Sequence, residues 1–318
     1  MENIFEIKNL KIQYKKESIF SQKKEQYINA VNDVSIEIRK GEILGLVGES
    51  GCGKSTFGRG IIALEKIYGG EIYYRGKNIL ENTNIKEFRK SVQMIFQNPY
   101  SSLNPRMKIY DILKEPLIVH GIKSKKEIDS RIIETSELTG IDIKALNYYP
   151  HEFSGGQRQR IAIASAIILK PEFIVADEPV SALDVSIRAQ IINLLKDLRE
   201  QLKLTILFIS HDLSVVRYIC DRTAVMYLGE IIELADSKNL FENPKHPYTK
   251  ILLKSVPTIS QKAKEKFVLK GDIPSPLNLP EGCKFHTRCP EIFHKCEIIN
   301  PEIIKINENH CVKCRLYK

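Results

Sequence analysis

Apolar and polar positions alternate along the start of the chain, as in Phe5-Glu-Ile-Lys-Asn-Leu-Lys-Ile and Val34-Ser-Ile-Glu-Ile. A period of two turns one face to a core and the other to water, so residues 4–47 read as antiparallel strands. The polar, charged run 15–26 between them reads as an exposed loop. Alternation then gives way to largely apolar runs at 42–47, 91–96, 173–176 and 205–209, the third of them unbroken. Strands with no polar face are buried on both sides, the habit of a parallel sheet covered by helices. Helical periodicity fits between them. Ile187, Ile191, Leu194, Leu195, Leu198 and Leu202 share one helix face, and a long helix runs from about 154 to 169. Residues 69–77 read as a hairpin, 98–106 as a turn-rich connector, and 109–119 and 125–138 as helices. The pattern predicts an α/β chain with a helical insertion.

The ends of the buried strands carry the candidate chemistry. After the strand at 42–47 comes Gly48-Glu49-Ser50-Gly51-Cys52-Gly53-Lys54-Ser55-Thr56, a glycine, four residues, then Gly-Lys-Ser, with a helix predicted from about 55 to 64. Such a loop rings a phosphate with backbone N–H groups at a helix N-terminus; Lys54 reaches the β/γ-phosphates and the Ser55 hydroxyl ligates Mg²⁺. The run 91–96 ends at Gln97, a polar group placed to meet Mg²⁺ or water, or to serve as a simple strand terminus. The run 173–176 ends in Asp177 and Glu178, where one carboxylate can hold Mg²⁺ and its neighbour can orient an attacking water. Ser154, Gly155, Gly156 and Gln157 open a helix, a second anion-binding end or a plain N-cap. Asp184 precedes the amphipathic helix, and His211 follows the run 205–209, at the edge where open α/β sheets bind ligands. Tyr14 ends the first strand and can stack on a base or sit half buried.

Bulk properties add exclusions. No apolar run approaches the roughly 18 residues that span a bilayer, and the N-terminus lacks a basic start and apolar core. The expectation is a soluble, cytosolic chain whose membrane role comes through a partner. Net charge is +9, and residues 236–318 hold 15 Lys/Arg against 9 Asp/Glu. These charges are scattered singly, so a solvated surface explains them better than nucleic acid does. Five of seven cysteines fall between 283 and 314. In a reducing compartment such a cluster suggests metal before disulfides. Cys283, Cys289, Cys296 and Cys314 lack the tight spacing of a zinc ribbon, and four thiolates suit either zinc or an iron–sulfur centre.

Taken in order, these motifs resemble those of the ATP-binding cassette (ABC) ATPases: a phosphate loop at 48–56, Gln97, Ser-Gly-Gly-Gln at 154–157, Asp177-Glu178, Asp184 and a switch histidine at His211. Phe153 stands where leucine is usual, an apolar exchange of little consequence. The resemblance implies a P-loop α/β domain over 1–235, with a RecA-like core, an antiparallel β subdomain and a helical subdomain at about 98–165. It implies an ATPase whose cassettes pair head to tail. Lys54 and the loop amides would bind ATP; Ser55, Gln97 and Asp177 would arrange Mg²⁺ and water. Glu178 would act as general base and His211 would orient the γ-phosphate. Ser154 and Gly156 would serve the partner's ATP. Tyr14 matches the adenine-stacking aromatic, with Tyr27 the alternative.

Gln97-Asn-Pro-Tyr-Ser-Ser-Leu-Asn-Pro-Arg-Met, His246-Pro-Tyr-Thr, Gly271-Asp-Ile-Pro-Ser-Pro and Gly282-Cys-Lys-Phe-His-Thr-Arg-Cys-Pro are similar to the oligopeptide/dipeptide permease ATP-binding subunits, the second of a pair in particular. That implies a small cysteine-containing C-terminal domain at 236–318. It also implies a [4Fe–4S] centre on Cys283, Cys289, Cys296 and Cys314, with Cys311 outside the pattern. Expected partners are a second ABC ATPase, two membrane permease subunits at the cytoplasmic face and, indirectly, a substrate-binding protein. Near relatives import nickel chelates or glutathione. The competing class is a soluble ABC ATPase acting on nucleic acid or ribosomes. Repair ATPases insert long coiled coils between loop and signature, and translation factors carry two cassettes; this chain has neither feature. Since the ATP motifs precede 236, ATP binding is expected to survive damage to the tail.

Overall fold

A computed structural model describes residues 2–15, 27–81, 84–254 and 272–318. The expected loop at 15–26 lies almost wholly outside these, as do Gly271 and the link before it. The described chain divides into two compact units. One holds Arg39–Ile43 and Glu81–Ile209; the other holds Asn3–Ile38, Leu44–Leu80 and Ser210–Lys318.

The unit carrying the phosphate loop has two sheet portions. The first is four-stranded, in the order Tyr27–Arg39, Asn3–Lys15, Gly69–Tyr74, Lys77–Asn78. Its buried face carries Phe5, Ile7, Leu10, Ile12 and Ile72, the apolar half of the alternating pattern. The expected hairpin is present: Tyr74 pairs with Lys77 across Arg75 and Gly76, both at positive φ, as a two-residue turn requires. In the second portion Ile43–Val47 runs parallel to Arg222–Tyr227, with Val47 opposite Val225. Glu230–Asp236 returns antiparallel through a Leu228-Gly229 turn, again with two positive φ values. His310–Val312 then pairs with Glu230–Asp236, and Ile304–Asn307 with His310–Val312. The chain end is thus knitted into the sheet that begins at the phosphate loop.

In the other unit Val92–Ile95, Phe173–Asp177 and Thr205–Ile209 form a parallel sheet, with Ala176 between Ile95 and Phe208. Thr205–Ile209 and the central strand are buried throughout, as the apolar run Phe173–Ala176 requires, while Gln93 and Met94 of the outer strand are half buried. The helices Ile109–Val119, Lys125–Thr139 and Gly155–Ile167 pack around Leu113, Leu117, Ile132, Ile161 and Ile168. Burying each such side chain contributes about 1.5–3 kcal/mol. These helices fall where the helical insertion was expected. Along Val185–Leu202 the buried positions are Ile191, Ile192, Leu194, Leu195 and Leu198. Ile187 and Leu202 are only half buried, because each lies near a helix end. Among the described residues no helix is long and apolar enough to cross a membrane.

Candidate nucleotide site and cysteine pocket

The expected site residues fall in both units. In the first sheet-and-loop unit, the strand Ile43–Val47 runs directly into Gly48, and the helix Lys54–Ile61 starts from Gly53. Gly48 and Gly53 have φ of 154° and 105°. A Cβ on Gly48 would lie 2.2 Å from the Met226 carbonyl oxygen, and one on Gly53 2.0 Å from that of Ala30. Only glycine fits at either position. No side chain caps the helix at Gly53, which leaves its first N–H groups available to an anion. Lys54 is buried, and its Nζ donates to the carbonyls of Gly48 (2.9 Å) and Glu49 (3.0 Å), which draws the loop around the ammonium. Cys52 is buried beside it. Burial pushes the Cys52 thiol up, Lys54 opposes this, and Glu49 adds to it.

Tyr14 reaches this loop, its hydroxyl 3.5 Å from Thr56 Oγ1, and burial raises its phenol. Tyr27 is of similar exposure, 42% against 37%, so exposure does not separate the two. His211 is exposed and stands just before the helix Leu213–Ile219, whose N-cap Asp212 accepts from the Ser214 and Val215 N–H groups.

The other unit gathers the carboxylates. Asp177 closes the strand Phe173–Asp177 and is buried. Glu178 follows in the left-handed region at φ 46°, a strained setting for glutamate. Its N–H donates to the Ile209 carbonyl, and its own carbonyl accepts from the Ser181 N–H and hydroxyl. Those bonds hold the backbone at the strand end. Gln97 Nε2 donates to Glu178 Oε2 at 2.9 Å. The structure therefore brings together a strand-end glutamine and a strand-end acid that lie far apart in sequence.

Ser154 caps the helix Gly155–Ile167 in a reciprocal box with Gln157, and Gly156 packs where a Cβ would lie 2.4 Å from Ile187 Cγ2. Gly155 is the next residue of that first turn. Asp184 caps Val185–Leu202; the Ile187 N–H, then the Ser186 hydroxyl, hold its carboxyl below the usual range.

Sequence reasoning passed over the groups that grip the phosphate loop from the tail. Tyr248 and Arg288 both contact Glu49. The signal was present in His246-Pro-Tyr-Thr and His-Thr-Arg-Cys-Pro, which carried a family resemblance without a role. A buried acid was missed too. Glu233 accepts from the Lys245 and His246 N–H groups and from His310 Nε2, at 2.7, 2.9 and 2.8 Å.

Cys283, Cys289, Cys296 and Cys314 line one pocket, with His246 and Phe285. Cys311 lies outside it, on the strand His310–Val312. Burial pushes the Cys283 thiol up to about 11 and that of Cys289 to about 12, and the neighbouring cysteines add to both. Among the described residues no group of three or more His, Cys, Asp or Glu is arranged to hold a metal ion.

A glycine-rich loop between a buried strand and a helix defines a P-loop nucleotide-binding protein, and the comparisons narrow the class. Residues 31–181 match the family model described as ABC transporter, and residues 232–296 the one described as oligopeptide/dipeptide transporter, C-terminal region. The oligopeptide transport ATP-binding protein AppF of Bacillus subtilis is 49% identical over 99% of this chain and 98% of its own. The dipeptide transport ATP-binding protein DppF of Haemophilus influenzae is 48% identical over 92% and 90%. Among solved structures, cbiO1 of Clostridium perfringens, part of the ABC transporter complex cbiONQ, aligns at TM-score 0.66 and 26% identity, over 76% of this chain and 92% of that one. The cassette MJ0796, dimeric and bound to ADP and Pi, aligns at 0.63 and 30%, over 73% and 98%. The chain belongs to the ABC transporter ATP-binding proteins, in their oligopeptide/dipeptide branch, and is an ATP-binding ATPase of that fold.

Proposed function

We propose that this chain is the ATP-hydrolysing subunit that powers import of oligopeptides or dipeptides through a membrane ABC transporter. The observation that carries the reading is the reach of the likeness: it runs through 99% of the chain, cysteine tail included, to an oligopeptide transport ATP-binding protein. Lys54 and the amides of 48–56 hold the ATP phosphates, and Ser55, Gln97 and Asp177 would hold Mg²⁺ and its water, the ion supplying charge stabilisation at the γ-phosphate. Gln97 holds Glu178 toward an attacking water, and Glu178 removes its proton. His211 orients the γ-phosphate, Tyr14 stacks on the adenine, and Asp184 shapes the dimer seam. Ser154 and the N–H groups behind Gly155, Gly156 and Gln157 serve the ATP held by a second cassette. That cassette is a paired ATPase subunit, and both dock on two permease subunits at the cytoplasmic face, fed by a substrate-binding protein.

The tail cysteines are the proposed seat of a [4Fe–4S] centre held by Cys283, Cys289, Cys296 and Cys314. All four face one pocket, and thiolate is the donor such a cluster takes. A single zinc, with Zn–S bonds of about 2.3 Å, needs thiolates packed more closely than a four-iron cluster does. A bound centre would stabilise the thiolates that burial alone disfavours and would cross-link a small, loop-rich segment.

The test is reconstitution of the chain with its permeases and second ATPase in vesicles. Oligopeptide or dipeptide, delivered by the binding protein, should stimulate ATP hydrolysis, and Lys54→Ala should abolish uptake. Stimulation by nickel chelates or glutathione and by no peptide would move the assignment to those importers. Stimulation of the isolated chain by nucleic acid or ribosomes would overturn it.

A further inference from the structure

Glu49 is an acid in a loop whose task is to receive phosphate, and the C-terminal segment answers its charge. Arg288 meets it as a fork: Nη1 lies 2.8 Å from Oε2 and Nη2 3.1 Å from Oε1. The same Nη1 lies 3.4 Å from the Tyr227 hydroxyl. The guanidinium side chain is 5% exposed and the carboxylate side chain 21%. The main chain of Glu49 is held as well, because its N–H donates to the Tyr248 hydroxyl at 2.9 Å. Tyr248 is fully buried, with its ring 4.8 Å from that of Tyr227 and 5.3 Å from that of Phe285. Both ends of this grip lie in the segment that leads into and carries the cysteines, and Arg288 immediately precedes Cys289.

A staple for the tail alone has no need of an arginine here. Burying a guanidinium is costly, its Nε has no partner among the described residues, and an apolar contact of similar volume would hold the segment as well. What arginine supplies is a fixed positive charge on a carboxylate at the phosphate loop. The influence of that carboxylate reaches inside the loop. The charge of the Glu49 side chain is felt at the buried Cys52 thiol, and the residue's backbone carbonyl, a separate group, accepts from Lys54 Nζ at 3.0 Å.

We infer that Arg288 is a positioning residue for ATP: by neutralising Glu49 and, with Tyr248, fixing the start of the phosphate loop, it lets the cysteine-bearing segment set the affinity of that loop for nucleoside triphosphate. The inference rests on the reading of 48–56 as the phosphate cradle. It revises the expectation that the tail can be damaged without consequence for ATP binding.

The experiment titrates the purified full-length chain with Mg²⁺ and a fluorescent ATP analogue at low and high salt. Arg288→Gln leaves Glu49 unpaired and should weaken binding about tenfold at low salt, with a smaller deficit at high salt where screening is stronger. Adding Glu49→Gln to that variant should recover most of the loss, because the repelling charge is gone. A purely structural staple predicts no such recovery, since the second change cannot restore its hold; that outcome, or unchanged affinity in Arg288→Gln, overturns the inference. Should Arg288→Gln fail to stay folded, Arg288→Lys keeps the charge without the fork. It should bind ATP within about threefold of wild type at low salt and fall behind at high salt. A salt response identical to wild type would again overturn it. Lys54→Ala is the control for the underlying reading: if it leaves affinity intact, the cradle assignment itself is wrong.

Discussion

Gln97 Nε2 donates to Glu178 Oε2 at 2.9 Å, so the amide that ends one strand fixes the carboxylate that ends its neighbour. Glu178 sits at φ 46° with both backbone groups engaged, and its side chain is partly exposed. A carboxylate so oriented is suited to take a proton from water, whereas buried Asp177 is suited to a cation. Glu178→Gln keeps the shape and the partner but removes the base. Hydrolysis should fall by about 10² or more while ATP binding persists, trapping an ATP-bound dimer visible by size-exclusion chromatography. Lys54→Ala should lose binding or hydrolysis without trapping a dimer. Near wild-type hydrolysis by Glu178→Gln would remove it from the role of base.

The phosphate loop should tolerate no side chain at Gly53. With φ of 105° and the Ala30 carbonyl oxygen 2.0 Å from the site of a Cβ, Gly53→Ala must shift the backbone that starts the helix Lys54–Ile61. Strain of this kind costs about 1–3 kcal/mol before any clash is counted. ATP affinity should fall sharply, with a lower melting temperature in the absence of nucleotide. Gly51, also at positive φ but with open space around its Cβ, should cost less when changed to Asn, which tolerates that conformation. Equal losses at both positions would refute the steric account.

Acid should loosen the C-terminal hairpin through Glu233. Burial by itself pushes this carboxyl up, but the His310 hydrogen bond and the N–H groups of Lys245 and His246 outweigh burial and hold it below the usual value. Its folded-state value is depressed, so the stabilisation is present above the unfolded value near 4.5 and is lost as pH falls through the lower folded one. His310 Nδ1 lies 3.1 Å from Asn239 Nδ2 and accepts from it, so Nε2 carries the proton given to Glu233. Glu233→Gln turns an acceptor toward donors with half its capacity and should cost about 3 kcal/mol at pH 7. It should also flatten the acid limb of the stability curve below pH 4.5. Thermal melts across pH 3–7 read both effects, and an unchanged acid limb would exclude Glu233 as its source.

The sequence made the strand ends legible because period and chemistry coincide there. Largely apolar runs named the central strands, and the residues past them named Lys54, Gln97, Glu178 and His211. The helix Ile109–Val119 falls on the predicted span, since amphipathic spacing is local. What could not be read was non-local. Arg288 and Tyr248 are 239 and 199 residues from Glu49, and no periodicity links them. Nor did alternation reveal that His310–Val312 would pair with Glu230–Asp236, because a three-residue strand is too short to show a period.

The tail cysteines give the riskiest prediction. Cys283, Cys289, Cys296 and Cys314 face one pocket although they are spread over more than thirty positions, and Cys311 between them points elsewhere. The segment after 272 has little regular structure: a four-residue helix, two short strands and single 3₁₀ turns. So small an element gains most from a covalent or metal cross-link. Isolated without oxygen, the protein should be brown and absorb broadly near roughly 400 nm, as thiolate-bound iron–sulfur does. Cys289→Ser or Cys296→Ser should bleach it and open residues after about 272 to protease, whereas Cys311→Ser should leave colour and protection intact. If Arg288 couples this segment to the phosphate loop, the bleached variants should also bind ATP more weakly, while Cys311→Ser should not. Anaerobic metal analysis finding zinc would replace the cluster with a single ion, and finding neither metal would reduce the pocket to four buried thiols.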